Sequence, residues 1–135
     1  MNYMLDSDVC IYLMEENNLA LFTKLDEMET NANFYISTMV LSELQYGISK
    51  SQKKDFNQSK LNSFLQRIKI VSYSEKCASY YGEIRAKLET QGNIIGTIDL
   101  FIAAHAIAEN ATLITNNTRE FERIDNLKVL SWQEL

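Results

Sequence analysis

Along the chain, short apolar runs alternate with longer stretches in which apolar residues recur every three or four positions. Residues 2–5 have strand character, and Val9, Tyr12, Leu13 and Glu16 then fall at helical spacing. A strand therefore runs into a helix at Asp6-Ser7-Asp8. The same pattern predicts an amphipathic helix over 19–30, a strand over 34–37, and a helix over 38–49 through Val40, Leu41, Leu44 and Ile48. Further along it predicts a helix over 53–66, a strand over 68–71, helices over 75–90 and 98–109, a strand over 112–115 and a short strand at 129–130.

Strands that alternate with helices imply a parallel sheet covered on both faces, because parallel strands need helical crossovers. The expected fold is α/β, a central parallel sheet of four to five strands between layers of helices. Ligands of such sheets bind beyond the carboxyl ends of the strands, so residues just after each strand are the ones to inspect for chemistry.

With 135 residues, 46% hydrophobic and 23% charged, the chain suits one compact domain over 1–135 with a core of its own. It has no proline, no repeats and no low-complexity tract. Cys10 and Cys77 make no CxxC pair and have no histidine cluster, so both read as buried thiols in a reducing compartment. Neither a basic leader nor an apolar run long enough for a membrane span is present, which places the expected location in the cytoplasm.

A net charge of −5 argues against a nucleic-acid binder that relies on a broad basic surface. Lys50, Lys53, Lys54, Lys60, Arg67 and Lys69 nevertheless form a local basic excess. That stretch is either a concentrated cationic surface or a solvated helix face.

Several acids sit where structure alone does not require them. Asp6 follows the first strand; it can cap the next helix, but Ser7 and Asp8 serve that purpose equally well and leave Asp6 free to face the crevice. Glu43 lies on or beside the apolar stripe of its helix, where a carboxylate must be solvated, paired or bound to metal. Asp99 falls in the first turn of an otherwise apolar helix with Thr97 as its expected N-cap, favoured there by the helix dipole yet isolated among apolar neighbours. Asn117 and Glu120 have the spacing of a capping box, and Glu120 reads equally well as that cap or as a site residue. His105 is six residues from Asp99 and therefore well around the helix from it, so it reads as a hydrogen-bonded packing histidine rather than a metal ligand. No GxxxxGK[ST] or GxGxxG loop is present, and nucleotide-driven chemistry lacks its anchors.

Taken in order, four blocks resemble those of PIN-domain toxins of the VapC type: Met4-Leu5-Asp6-Ser7-Asp8, Val40-Leu41-Ser42-Glu43-Leu44, Thr97-Ile98-Asp99-Leu100-Phe101, and Ile114-Thr115-Asn116-Asn117 through Glu120-Phe121. The resemblance covers nearly the whole chain and implies a Mg²⁺- or Mn²⁺-dependent endoribonuclease, the toxin half of a bacterial toxin–antitoxin pair. It carries the metal-holding role to Asp6, Glu43 and Asp99. Asn117 falls where many members have a fourth acid, with Glu120 as a substitute, and Asp8 stands where relatives usually have asparagine.

The same resemblance implies cleavage of structured RNA such as transfer RNA, a homodimer, and a VapB-type antitoxin whose C-terminal segment lies in an apolar groove. DNA would be contacted only through that antitoxin. Two other classes compete: a PIN domain that binds RNA or a partner without turnover, and a receiver-like phosphorylation switch. The latter lacks an acceptor aspartate, because residues 68–71 are followed by Ser72-Tyr73-Ser74.

Overall fold

The computed structural model describes residues 1–16, 20, 23, 27 and 32–134. β1 (Asn2–Leu5) leads into α1 (Ser7–Glu16), and β2 (Asn33–Ser37) runs directly into α2 (Thr38–Ser49). Then follow α3 (Lys54–Leu65), β3 (Lys69–Val71), α4 (Glu75–Gln91), α5 (Thr97–Ala108), β4 (Ala111–Thr115), the single-turn α6 (Thr118–Phe121) and β5 (Val129–Ser131). A 3-10 turn, Trp132–Glu134, succeeds β5.

All strand pairs are parallel, and the sheet order is β3-β2-β1-β4-β5. The expected α/β architecture is therefore what the chain adopts. From β1 the chain steps outward to β2 and β3, then returns to place β4 on the opposite side of β1. The winding reverses at β1, and the crevice beyond the carboxyl ends of β1 and β4 is where such folds receive ligands. Met4 and Leu5 of β1, Ile36 of β2, and Leu113 and Ile114 of β4 are wholly buried, together with Val9, Val40, Leu61, Ile102 and Phe121. Helices α1, α2 and α3 pack on one another, while α4 packs chiefly on α5.

Departures from the expected boundaries have local causes. α1 begins at Ser7 rather than Val9, because the Cys10 N–H bonds to the Asp6 carbonyl at 3.1 Å and draws Ser7 and Asp8 into the first turn. β3 starts one residue late, since the Ile68 N–H still bonds to the Leu65 carbonyl behind α3. At α5 the cap is Gly96 and not Thr97, which is already helical. The helix expected over 19–30 lies outside the described residues except for Ala20, Thr23 and Glu27, each of which is helical. Cys10 and Cys77 are buried free thiols, in line with the expectation.

Candidate active site

The end of β1 fixes the first acid. Asp6 is 5% exposed, and its backbone N–H bonds to the Ile114 carbonyl of β4 at 3.0 Å, continuing the sheet by one rung. Both carboxylate oxygens are held: Oδ1 accepts the Ser7 N–H at 2.8 Å, and Oδ2 accepts the Thr115 hydroxyl at 2.8 Å. Each oxygen still has a lone pair free for a further partner. Asp6 is thus both adjacent to the helix start and aimed at the crevice, so the division of labour with Ser7 and Asp8 expected from sequence does not hold.

Glu43 projects from α2 and is exposed, with the Ser7 hydroxyl donating to its Oε1 at 3.1 Å. Ser7 therefore spans two acids, its N–H on Asp6 and its hydroxyl on Glu43. Asp99 lies in the first turn of α5 beside Gly96, where a Cβ would stand 3.6 Å from Asp99 Oδ2. Glu120 reaches back from α6 to accept the Gly96 N–H through Oε1 at 3.1 Å, and the Asn117 side-chain amide donates to Oε2. The expected capping box does not form: Asn117 makes no side-chain cap bond, and its own N–H goes to Thr115 Oγ1 at 3.0 Å. Glu120 joins the loop before α5 to α6 and meets Asp99.

The electrostatics are those of acids held together against their preference. Burial pushes the Asp6 carboxyl up to about 6, helped by the charges of Asp8 and Glu43, although the Thr115 and Ser7 hydrogen bonds oppose the rise. Asp99 is pushed up to about 7, first by burial, then by the carboxyl of Glu120 hydrogen-bonded to it and by the charges of Asp6 and Glu43. Half-buried Asp8 is also raised by loss of solvation, with the Val9 and Asn116 N–H groups opposing. Groups whose pKa values are displaced in this way by burial and like charges mark functional sites more often than structural ones.

Among the described residues no three acids are already closed into a ligand shell. The donor set still fits a hard cation. It offers only carboxylate oxygens, it has no histidine or cysteine, and Mg²⁺ is commonly held by one or two carboxylates with the remaining positions left to water and phosphate. A divalent cation would also relieve the mutual repulsion that raises Asp6 and Asp99.

His105 lies apart from these acids, as expected. It is fully buried, with Nδ1 2.8 Å from Ser37 Oγ and the ring edge-on to Tyr73. Ser37 is the N-cap of α2, its hydroxyl oxygen accepting the Met39 N–H at 3.1 Å. Nε2 faces Glu109 Oε1 at 3.8 Å, so the tautomer with the proton on Nε2 avoids setting a lone pair against a carboxylate, and the Ser37 hydroxyl then donates to Nδ1. This contact ties α5, which carries Asp99, to the start of α2, which carries Glu43. Sequence reasoning did not find Thr115 or this use of Ser37, because a lone hydroxyl at a strand end carries no mark of its distant partner.

With this geometry in view, comparison with known proteins is unambiguous. The chain belongs to the PIN-domain family, which it matches over residues 3–127. Within that family it is of the VapC type: it is 52% identical over 134 residues to Ribonuclease VapC2 of Rickettsia felis, covering 99% of this chain and 100% of that protein. It is 34% identical to the tRNA(fMet)-specific endonuclease VapC of Shigella flexneri, covering 98% of each. Among solved structures, VapBC2 of Rickettsia felis bound to a promoter DNA fragment contains a chain that superposes with a TM-score of 0.92 at 52% identity, covering 98% of this chain and 99% of that one. DNA-bound VapBC from Salmonella typhimurium gives 0.87 at 32% identity, covering 98% of each. The chain is accordingly an enzyme, a nuclease that hydrolyses phosphodiester bonds.

Proposed function

We propose that this chain is the toxin of a VapBC pair, a Mg²⁺- or Mn²⁺-dependent endoribonuclease that cuts structured RNA, with transfer RNA the leading substrate class. The observation that carries this is that Asp6, just after β1, Glu43 of α2 and Asp99 of α5 lie near enough to act on one another's charge, with burial and that charge raising the pKa of Asp6 and Asp99. The names of its relatives, ribonucleases and a tRNA endonuclease, support the choice of RNA.

Asp6, Glu43 and Asp99 would hold the cation, which when bound supplies neutralisation of the scissile phosphate and a more acidic water. Asp6 is the best fixed of the three, since Thr115 and Ser7 restrain both of its oxygens. A carboxylate not bound to the cation, Glu43 or Glu120, would orient the water and take its proton. Water adds to phosphorus as the bond to the 3′ oxygen breaks, leaving a 5′-phosphate and a 3′-hydroxyl. Asn117 acts through Glu120, whose carboxylate it steadies.

The partner in this proposal is a VapB-type antitoxin, in keeping with the VapBC complexes that superpose on the chain. A groove among α1, α2 and α3, with Ile11, Met14, Leu44, Ile48 and Leu61 along it and Glu43 in its wall, suits an apolar peptide that ends in a basic side chain. The proposal includes a homodimer in the cytoplasm, with DNA reached only through the antitoxin.

Purified chain should cut a transfer-RNA transcript only when Mg²⁺ or Mn²⁺ is supplied, and Asp99→Asn should be inert while folded. Cleavage in excess chelator, or by the Asp99→Asn chain, overturns the proposal. For the partner, Ile11→Asp should weaken capture of the product of the adjacent gene.

A further inference from the structure

We infer that the exposed surface running from the end of α2 along α3 to the start of β3 is where this enzyme grips the RNA outside its acidic crevice; this rests on the ribonuclease proposal above. Residues 50–69 hold six of the thirteen lysines and arginines and one of the eighteen acids. That segment therefore carries +5 and the remaining 115 residues carry −10, which together give the net −5. Most of this molecule repels a polyanion. An enzyme of such charge needs a concentrated cationic surface to retain RNA, and this stretch is where the cations are concentrated.

The lysines of this surface are not held by acids among the described residues. Among the described residues, Lys50, Lys53, Lys54, Lys60 and Lys69 take part in none of the ion pairs, which involve Arg85, Lys87 and His105 instead. Two aromatic residues of the same surface face solvent, Tyr46 at 66% and Phe56 at 61% exposure. Each has a lysine over its ring, Lys50 Nζ 4.8 Å from the Tyr46 centroid and Lys60 Nζ 5.6 Å from that of Phe56. Exposed rings paired with ammonium groups provide what a single-stranded loop offers in alternation, a base to stack and a phosphate to neutralise. Lys60 also borders the groove that Glu43 borders, so RNA held on α3 has a path along that groove to the carboxylates. A protein partner is less well matched, because the apolar floor of the groove, and not this cationic face, is what suits a peptide.

The test compares two double variants of equal net charge. Lys50→Gln/Lys60→Gln, termed the α3 pair although Lys50 stands at the end of α2, removes two charges from the surface, whereas Lys76→Gln/Lys87→Gln removes two from α4. Binding of a labelled transfer-RNA transcript is measured in the Asp99→Asn background, and cleavage in the active chain. The α3 pair should bind RNA about tenfold more weakly near ~0.1 M salt, with a log–log salt slope shallower by about 1.4. Its KM should rise correspondingly with kcat unchanged, and the α4 pair should stay within about twofold of the parent in all three measurements. Phe56→Ala should weaken binding on the order of tenfold without altering the salt slope. Equal losses in the two double variants, or an α3 pair that binds RNA as the parent does, overturn the inference. An α3 pair that loses only antitoxin capture overturns it equally. A parent chain that cleaves RNA while the α3 pair behaves as the parent sinks this inference alone; a parent that neither binds nor cleaves RNA sinks it together with the ribonuclease proposal.

Discussion

Two charged regions of this molecule are built in opposite ways. The acidic crevice gathers Asp6, Glu43, Asp99 and Glu120 from four elements spread over more than a hundred residues, and it buries or half-buries most of them. The cationic surface comes from one contiguous stretch, residues 50–69, and leaves Lys50, Lys53, Lys54 and Lys69 exposed and Lys60 half-buried. In the crevice, packing overrides the solvation of Asp6 and Asp99 and raises their proton affinity. On the cationic surface, solvation is kept and only the local density of charge matters. The first region depends on the fold to the ångström; the second needs only that its helix be formed.

The largest test of that contrast lies in the crevice. Glu43→Gln and Asp99→Asn should each lower the cleavage rate by on the order of 10³-fold or more, a loss comparable to removing a principal electrostatic group from an active site. If neutralising a crevice acid costs no more than neutralising a lysine of α3, the contrast fails. Thr115→Val should come next. It keeps the shape of the side chain but removes the hydroxyl that restrains Asp6, and the expected loss is about 10- to 100-fold in metal affinity or rate, the range for residues that orient a ligand. A Thr115→Ser chain should recover most of it.

The pH dependence follows from the raised carboxyls. Asp6 near 6 and Asp99 near 7 both lie above the ordinary value of 3.8, so the folded chain binds these protons more tightly than the unfolded chain does. Their favourable contribution is fully present below about pH 4 and is lost as pH rises through about 6 and then about 7. In chelator, the melting temperature should therefore decline between about pH 5 and 8 through these two groups, and saturating Mg²⁺ should reduce the decline because a cation takes the place of the protons. Asp99→Asn should flatten the upper part of the curve. A melting temperature in chelator that climbs across this window in the parent, unchanged in slope by Asp99→Asn, would contradict the origin assigned to the crevice.

A smaller effect is expected at the scaffold between the two regions. Ser37→Ala removes the α2 cap and leaves His105 Nδ1 without its partner, for a destabilisation of about 2 kcal/mol in denaturant titration. The smallest is at the surface: Lys87→Gln breaks an exposed ion pair with Asp125 and should leave stability unchanged within the precision of the same titration.

The strands and most helices were legible because short apolar runs mark the strands and a three-to-four-residue apolar spacing marks the helices. Boundaries slipped where a backbone bond, rather than a side chain, decides the end, as at Ile68 and Gly96. Asp6, Glu43 and Asp99 could be singled out because a charged residue beside an apolar stripe or at a strand end is locally conspicuous. Thr115 could not, since its partner is 109 residues away and a threonine closing a strand is ordinary. Asn117 and Glu120 were legible as a pair with two roles open, cap or site: local spacing allowed either, and the path of the loop before α5 brings the Gly96 N–H and Asp99 to Glu120.

The joint at His105 gives the molecule a built-in reporter. It is the only imidazole in the chain, so a single set of ring resonances, free of overlap from any other histidine, senses the contact between α2 and α5. Burial lowers its proton affinity, with the charge of Glu109 opposing. Ring nitrogen shifts should therefore show one neutral tautomer that persists to lower pH than in a solvent-exposed histidine. Whether that signal moves when Mg²⁺, RNA or an antitoxin is added would reveal, without any introduced label, how far an event at the crevice is transmitted into the interior.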